Sequence, residues 1–288
     1  MNPHLNMPEL PEVQTIVDEL RLQLLGRAFT GLETDWAPAL ATVPLPQFRA
    51  RLVGQRILEV RRRGKYLLFP LSSGDMLLIH LMMGGHLLVL PSSDPCDQHT
   101  HTRFLLDDGR ELRFRDVRKL GRAYLVADPT EVLGHLGPEP LGEEFTLHQF
   151  RNLIARRRGR LKSLLLNQRF LAGLGNIYAD EALFTARLHP LRTADALSEQ
   201  EVERLYQSIR RVLTHALADQ GTTLDDAAYR RPDGRAGNYQ NQLQVYGREG
   251  EPCALCGTPI QGIVVGGRGT HFCPRCQRWS PAGGLFVG

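Results

Sequence analysis

Long apolar runs are absent from this sequence of 288 residues. No apolar stretch approaches the roughly 20 residues that a membrane-spanning helix needs, which argues against an integral membrane protein. The N-terminal residues also lack a basic segment followed by an apolar core, so they do not resemble a secretory signal. From these two absences we expect a cytoplasmic protein that does not associate with membranes.

Cysteine is scarce, with five residues in the chain. So few cysteines in a sequence with cytoplasmic features argue against a disulfide framework. Four of them form two pairs, Cys253-x2-Cys256 and Cys273-x2-Cys276, which are separated by sixteen residues. Each pair can place two thiolates on one metal ion, and the spacer is long enough for a hairpin. Cys96 stands apart and is interpreted as a loop residue without a role.

The cysteine pattern predicts one structural Zn²⁺ ion. Four thiolates complete a tetrahedral site and leave no open position for a substrate, which excludes a catalytic role for the metal. Within the spacer, residues 260–265 and 270–272 are predicted to be strands, with Arg268 at the glycine-rich turn between them. An arginine at such a tip either contacts a phosphate or is merely exposed, and the residues alone leave both readings open.

Positive charge slightly exceeds negative charge, with 35 Lys and Arg against 31 Asp and Glu and a net charge of +4. The distribution is more informative than the total. Two segments concentrate the basic residues, namely Arg61, Arg62, Arg63 and Lys65, and then Arg151, Arg156, Arg157, Arg158, Arg160 and Lys162. Either segment alone could be a solvated surface. Together they favour a polyanionic partner such as nucleic acid.

The apolar fraction of 42% and charged fraction of 23% are those of a folded globular protein, and the length favours at least two domains. Between Phe29 and Val126, short apolar stretches separated by turn signals predict strands at 67–71, 76–81, 86–90, 103–106, 111–115 and 123–126. This spacing predicts a β-sandwich or barrel. Before it, apolar residues at helical spacing from Val13 to Leu24 predict a helix that Gly26 ends.

The second half of the chain is predicted to be helical. Helices are expected at 147–154, 161–165, 177–186 and 198–219. Asn176 is expected to cap the third of them, and Ser198 with Glu201 forms a capping box for the fourth. Glycine-rich turns between helices commonly present backbone N–H groups to a phosphate. The polar residues 222–242 are interpreted as a long, mobile and functional loop.

Four segments together resemble the bacterial formamidopyrimidine-DNA glycosylase family. They are Met7-Pro8-Glu9-Leu10-Pro11-Glu12, Arg63-Gly64-Lys65-Tyr66-Leu67, Gly175-Asn176-Ile177-Tyr178-Ala179 and the four-cysteine module, and residues 242–247 are similar as well. The resemblance implies an α+β protein with three parts. These are an N-terminal catalytic β-sandwich with flanking helices (8–135), a helix-two-turn-helix DNA-binding domain (145–225) and a C-terminal β-hairpin zinc finger (243–286).

The resemblance also implies a reaction. Members are bifunctional DNA glycosylases and AP lyases that act on oxidised purines, chiefly 8-oxoguanine and formamidopyrimidines. Pro8, as the first residue of the mature chain, would attack C1′ through its secondary amine, which is partly unprotonated near neutral pH because an α-amino pKa is roughly 8. We therefore expect that translation starts at Met7, or that the preceding residues are an annotation artefact, and that Met7 is removed.

Three further catalytic residues follow from the resemblance. Glu9 would transfer protons as a general acid–base residue, although acidic residues in the first turn of a helix are on their own ordinary partners of the macrodipole. Lys65 is implied for β-elimination and Arg268 for δ-elimination. Because a guanidinium has a pKa above roughly 12 and donates protons poorly, Arg268 is better interpreted as a phosphate clamp.

Damaged double-stranded DNA is the implied partner, and a monomer suffices for the chemistry. The resemblance assigns DNA contacts to His99, Arg118, Arg157 and Asn176. Because the damaged base must leave the duplex, other groups must fill the gap. Met83 is implied as the void-filling residue and Arg118 as the residue facing the orphaned base, while Leu120 stands where the family usually has phenylalanine. For Met83, a plain core position remains an alternative.

Two alternative functions stay open. The first is an endonuclease VIII-like glycosylase that acts on oxidised pyrimidines, although that group usually has glycine where this chain has Leu10. The second is a zinc-containing DNA-binding protein without catalysis, which the joint presence of Pro8, Glu9 and Lys65 disfavours. For an enzyme of this family we expect a cytoplasmic location, associated with the nucleoid when bound to DNA.

Overall fold

The computed structural model of the chain describes residues 7–224 and 229–278. The chain divides into two units, of which the first comprises residues 1–136 and 216–240 and the second residues 137–215 and 241–288. Among the described helices, none combines the length and the apolar character that crossing a membrane requires.

The first unit contains two four-stranded antiparallel sheets. One has the strand order β1-β6-β7-β5 and the other β2-β3-β4-β8. The strands are β1 (Phe29–Thr34), β2 (Arg61–Arg63), β3 (Tyr66–Pro70), β4 (Met76–His80), β5 (Gly85–Pro91), β6 (Thr100–Leu106), β7 (Arg110–Asp116) and β8 (Arg122–Val126). Alternating apolar side chains of both sheets, among them Phe69, Ile79, Phe104 and Leu112, are buried in one shared core. This arrangement confirms the predicted β-sandwich.

Helices flank these sheets. They are α1 (Leu10–Leu24), α2 (Leu45–Leu52) and the single turn α3 (Thr130–Leu133). The buried face of α1, including Val13, Val17 and Leu20, joins the core that the two sheets share. Each of the six predicted strands and the first helix are confirmed within a few residues.

Sequence patterns did not predict β1, β2 or α2 individually. β2 consists of three arginines and has no apolar alternation, so only its pairing with β3, from Arg61 with Leu68 to Arg63 with Tyr66, defines it as a strand. In β1, an irregular register between Phe29 and Gly31 breaks the alternation. Tertiary pairing therefore decides where these elements form.

The second unit contains helices α4 (Leu147–Ile154), α5 (Leu161–Leu166), α6 (Asn176–Thr185) and most of α7 (Glu199–Ala218). The hairpin of β9 (Gln261–Val265) and β10 (Arg268–Phe272) follows. These elements confirm the predicted helices and the hairpin, and with the first unit they confirm the α+β class. The capping box is also present, because Ser198 N donates to Glu201 Oε2 at 2.9 Å and Glu201 N donates to Ser198 Oγ at 3.3 Å.

One capping prediction is wrong. Gly175 is the N-cap of α6, and Asn176 is the first residue inside the helix. The Asn176 side chain is therefore available for contacts outside its own helix turn.

The polar segment 222–242 is fastened at the residues that the structure describes. Tyr229 is buried in the core of the first unit, and its hydroxyl donates to Gln220 O at 3.0 Å. Arg231 forms an ion pair with Glu19 on α1. The prediction of a mobile loop is thus wrong for this part of the segment, while residues 225–228 lie outside the described residues. Long-range contacts with α1, which composition does not reveal, are the reason.

Candidate active site and metal centre

The start of α1 places two carboxylates inside the first unit. Pro8, Glu9 and Glu12 are all buried. Glu12 Oε2 accepts a hydrogen bond from Glu9 N at 2.9 Å, and its Oε1 accepts one from Thr222 N at 2.7 Å. Glu12 thereby fixes the backbone of Glu9 and the first residue of the 222–242 segment. Sequence reasoning missed this role, although an acidic residue three positions after a helix N-cap is a recognisable capping signal.

Gly221 is required beside this carboxylate. Its φ is 81°, and a Cβ atom at this position would lie 2.7 Å from Glu12 Oε1. The glycine also ends α7, because its N–H donates to Ala216 O at 2.8 Å. The close approach and the positive φ both require a residue without a side chain.

Lys65 occupies the hairpin between β2 and β3. Gly64 and Lys65 form a two-residue turn in which Gly64 has a φ of 57°. Arg62 holds this turn, since its Nη1 donates to Gly64 O at 2.8 Å and its Nε donates to Gln14 Oε1 on α1 at 3.1 Å. Lys65 is buried. Through Arg62, the turn that carries Lys65 is therefore bonded to α1, the helix that begins after Glu9.

Met83 lies in the turn between β4 and β5 and is half-buried. Met83 does not belong to the buried core among the described residues, so the alternative interpretation as a plain core residue is wrong. Arg118 Nη1 approaches Met83 Sδ at 3.8 Å. The structure thus brings together two of the predicted DNA-contacting side chains.

The loop after β7 presents Arg118 and Leu120. The Asp116 carboxylate braces the loop, because it accepts hydrogen bonds from Arg118 N at 3.1 Å and from Gly121 N at 2.6 Å. Arg122 Nη1 donates to Leu120 O at 2.9 Å. Arg118 is exposed and Leu120 is half-buried. Backbone hydrogen bonds of this kind hold the loop shape while leaving part of the Arg118 side chain accessible.

His99 belongs to the loop between β5 and β6, and a buried arginine secures that loop. Arg113 on β7 donates to Asp94 O at 2.6 Å, to Pro95 O at 2.9 Å and to Pro91 O at 3.2 Å. It also forms an ion pair with the fully buried Glu111. No sequence signal points to this anchor, because an arginine in a strand usually lies on the solvent face.

Replacing Arg113 with alanine should lower the free energy of unfolding by about 3–5 kcal/mol, because the change removes the buried partner of the Glu111 carboxylate and the side-chain donor to the carbonyl groups of Asp94 and Pro95. Arg103 also contacts Glu111, at 3.3 Å, but one third of its side chain is exposed. Arg103→Ala is therefore the control, with an expected loss below about 1 kcal/mol. Urea denaturation followed by circular dichroism measures both. Equal losses in the two variants would contradict the anchoring role.

The second basic segment separates into exposed and buried charges. Arg156, Arg157, Arg158 and Arg160 are exposed in the connection from α4 to α5. Lys162 is fully buried, and its Nζ lies 2.6 Å from Asp180 Oδ1. The interpretation of Lys162 as part of a polyanion-binding surface is therefore wrong, because helical spacing turns this residue toward α6.

α6 holds the zinc hairpin through two buried carboxylates. Asp180 Oδ2 accepts a hydrogen bond from His271 N at 2.9 Å. Glu181 accepts bonds at 2.9–3.0 Å from three consecutive backbone N–H groups, those of residues 244–246. Burial raises the pKa of Glu181, although the same three bonds oppose the rise. The hairpin is thus attached to a helix and is not a free appendage.

Asn176 and the Arg268 hairpin meet in the second unit. Asn176 Nδ2 donates to Gly269 O at 3.0 Å, while its Oδ1 is buried without a partner among the described residues. Gly266 and Gly267, with φ of 58° and 75°, form the hairpin turn. Positive φ at both central positions is the requirement of a type I′ turn. Arg268 is exposed and follows this turn as the first residue of β10, which corrects its predicted position within the turn.

The four paired cysteines converge on one point. Their sulfur atoms all lie within 4.8 Å of one another, with Cys256 and Cys273 at 3.5 Å and Cys253 and Cys276 at 3.9 Å. Four thiolates at about 2.3 Å from a tetrahedral Zn²⁺ ion are separated by similar distances. The cysteines are thus placed to bind one structural zinc ion. Cys96 is exposed and lies outside the set.

Sequence models of three families match the chain. The formamidopyrimidine-DNA glycosylase N-terminal domain matches residues 7–123, and the formamidopyrimidine-DNA glycosylase H2TH domain matches residues 136–227. The zinc finger found in FPG and IleRS matches residues 250–278. These three matches follow one another in the order that the resemblance implied.

Similar proteins extend along nearly the whole chain. The formamidopyrimidine-DNA glycosylase of Herpetosiphon aurantiacus is 47% identical over 275 residues, which cover 94% of this chain and all of that protein. The formamidopyrimidine-DNA glycosylase of Pelotomaculum thermopropionicum is 45% identical over 278 residues, which cover 94% of this chain and 99% of that protein.

Solved structures agree in fold as well as in sequence. The MutM (Fpg) protein of Thermus thermophilus is 46% identical with a TM-score of 0.86, covering 95% of this chain and 100% of that one. Lactococcus lactis Fpg in complex with Fapy-dG-containing DNA is 36% identical with a TM-score of 0.87, and the match covers 94% of this chain and 100% of that one. With identity at this level along the full length of its relatives, the chain belongs to the formamidopyrimidine-DNA glycosylase family.

Proposed function

We propose that this protein is a bifunctional DNA glycosylase and AP lyase of base excision repair that removes oxidised purines, chiefly 8-oxoguanine and formamidopyrimidines. The similarity to formamidopyrimidine-DNA glycosylases along their whole length carries the proposal. Solved relatives in complex with DNA that contains Fapy-dG or an abasic site support both activities. The buried carboxylate of Glu9 directly after Pro8 provides the corresponding chemistry in this chain.

Pro8 is the proposed nucleophile, with its ring nitrogen as the N-terminal amine of the working chain. The N-terminal family match, which begins at Met7, supports this start. The amine attacks C1′ of the damaged nucleotide, the bond from C1′ to the base breaks, and the base leaves with a proton. Opening of the C1′–O4′ bond, with transfer of a proton to O4′, then gives an iminium, which withdraws electrons from C2′ and makes its proton acidic. Loss of that proton expels the 3′-phosphate by β-elimination, and a second elimination expels the 5′-phosphate.

Glu9 and Lys65 serve this sequence of proton transfers. Glu9 transfers protons at the sugar or the departing base, and Glu12 keeps the Glu9 backbone in place through the 2.9 Å hydrogen bond. Lys65 serves β-elimination and binds a phosphate near the lesion. Both residues are buried, and charged groups act more strongly where water is excluded.

DNA contacts are proposed for both units, with damaged double-stranded DNA as the partner and a monomer as the working form. In the first unit, His99 and Arg118 contact DNA, Met83 fills the gap left by the base, and Leu120 supports the opened duplex. In the second unit, phosphates are bound by Arg157, by Asn176 and by Arg268, whose exposed guanidinium acts as a clamp. The proposed boundaries of the three parts are 8–135, 145–225 and 243–286. Because the chromosome is the substrate, we place the enzyme in the cytoplasm at the nucleoid.

A panel of lesion duplexes tests the function. Under single-turnover conditions, strand cleavage at 8-oxoguanine or formamidopyrimidine opposite cytosine should be at least about tenfold faster than at 5-hydroxycytosine or thymine glycol, because a shaped pocket discriminates by about 10–200-fold. The reverse order would favour the endonuclease VIII-like alternative. Binding to abasic DNA with no cleavage of any duplex would indicate a catalytically silent protein.

A further inference from the structure

The turn that carries Met83 has an uncommon backbone conformation. Met82, two residues after the end of β4, lies in the left-handed region with a φ of 51°. Residues with a Cβ atom adopt this region rarely, because the side chain crowds the backbone. The turn therefore depends on contacts that hold Met82 in this conformation.

His80, the last residue of β4, makes such a contact. Its Nδ1 accepts a hydrogen bond from Met82 N–H at 3.2 Å. The imidazole is buried, lies opposite Tyr66 in the sheet and contacts that ring edge-on with the centroids 4.5 Å apart. Because the sheet fixes the imidazole, it also fixes the position of the acceptor.

The imidazole is in the protonation state that the bond requires. Nδ1 accepts a hydrogen bond only when it carries no proton. Burial, followed by the positive charges of Lys65 and His135, lowers the pKa of His80 to about 3. The ring is therefore neutral at neutral pH, and the bond to Met82 persists there.

Beyond this turn, Met83 meets the loop that carries Arg118. Gly85 pairs with Asp116 at the ends of β5 and β7, which places the two loops side by side. Arg118 Nη1 then lies 3.8 Å from Met83 Sδ. A change in the Met82 backbone would rotate Met83 away from this neighbour.

We propose that His80 is a positioning residue, which holds the turn at Met82 and thereby places Met83 to fill the space of the extruded base. This inference rests on the proposed function, in which Met83 enters the damaged duplex. Reactions that need base extrusion depend on His80, and reactions at a site that has already lost its base do not.

His80→Leu tests the claim by removing the acceptor while keeping a side chain of similar size. Single-turnover release of 8-oxoguanine should fall about tenfold, which corresponds to the loss of one hydrogen bond between neutral groups. Cleavage at a preformed abasic site should fall less than about threefold. His80→Asn is the matched variant and should keep base release within about threefold, because its amide oxygen can accept the same bond.

Met82→Gly provides an independent test of the role of the turn. Glycine adopts positive φ without a stabilising contact. Met82→Gly combined with His80→Leu should therefore restore base release to within about threefold of the wild type. Should His80→Leu alone fail to fold, Met82→Val tests the same turn, because a β-branched residue fits positive φ poorly. It should slow base release selectively. Fluorescence of 2-aminopurine placed beside the lesion reports the extrusion step directly.

The outcomes separate the two proposals. If the wild type is active but His80→Leu and Met82→Val keep normal base release, or His80→Leu loses both reactions equally without rescue by Met82→Gly, the positioning role is wrong and the proposed function stands. If the wild type releases no 8-oxoguanine, the proposed function is wrong, and this inference is overturned with it.

Discussion

A chain that begins at Pro8 will be trapped covalently on an 8-oxoguanine duplex by borohydride, whereas a chain that retains residues 1–7 will not. In the shorter chain the ring nitrogen of Pro8 is a secondary amine with a pKa of roughly 8, and it can attack C1′. In the longer chain the same nitrogen is an amide, whose lone pair is delocalised into the carbonyl group. Because loss of a nucleophile removes up to about 10⁶ in rate in other enzymes, we expect no detectable adduct.

The two versions should be compared by gel analysis of the adduct, with the N-terminus of each determined by intact mass. Both should contain one zinc ion, since the extension does not alter the metal ligands. They should also bind abasic DNA within about threefold of each other, since the proposed phosphate contacts are the same in both chains. Pro8→Gly in the shorter chain is a second control and should give much less adduct, because its primary amine forms an imine that must take up a proton before it carries the charge of the iminium. A trapped adduct from a chain whose mass still includes residues 1–7 would rule out Pro8 as the nucleophile.

Replacing Cys273 with serine should abolish zinc binding and weaken DNA binding about a hundredfold or more. Cys273 is fully buried among the four ligands, and metal binding at such sites contributes about 10–16 kcal/mol that becomes folding free energy of the hairpin. Unfolding of the hairpin removes Arg268 and the contact of Asn176 with Gly269. The proposed phosphate contacts of Arg268 and Asn176, at about 1.5–3 kcal/mol each, account for the loss of affinity.

Cys96→Ser is the matched control for this variant. Cys96 is exposed and does not belong to the metal set, so this variant should keep one zinc ion per chain and wild-type affinity. Atomic absorption measures the metal, and fluorescence anisotropy with abasic DNA at fixed salt measures the affinity. Treatment of the wild type with a chelator should reproduce the effect of Cys273→Ser. Unchanged DNA affinity in a zinc-free chain would show that the hairpin is not part of the DNA-binding surface.

Features with a local signal were predictable from the sequence. The zinc site follows from two closely spaced cysteine pairs, because each pair needs only a tight turn to present two thiolates. The capping box of Ser198 and Glu201 and the strand hairpins likewise depend on residues a few positions apart. For Pro8, Glu9 and Lys65, residue chemistry alone was insufficient, and the family resemblance supplied the assignment.

Features built from distant residues were not predictable. Glu12 binds the backbone of Thr222, about 210 positions away, and Lys162 is neutralised by Asp180 on another helix. Arg113 and Glu111 form a buried pair that holds a loop 18 or more residues upstream of the arginine. A charged residue in a sequence has the same appearance whether it faces solvent or an opposite charge, so only the fold distinguishes these cases.

The sequence by itself determined the metal, the strand and helix pattern, and the family to which this chain belongs, since each of these is written in short motifs whose chemistry acts over one or two turns of chain. Only the tertiary structure decided which charges are buried, that Glu12 also binds the backbone of Thr222, and that the turn of Met83 lies beside the loop of Arg118. The physical reason is that burial and pairing depend on neighbours in space, and those neighbours come from segments that chain order does not place together.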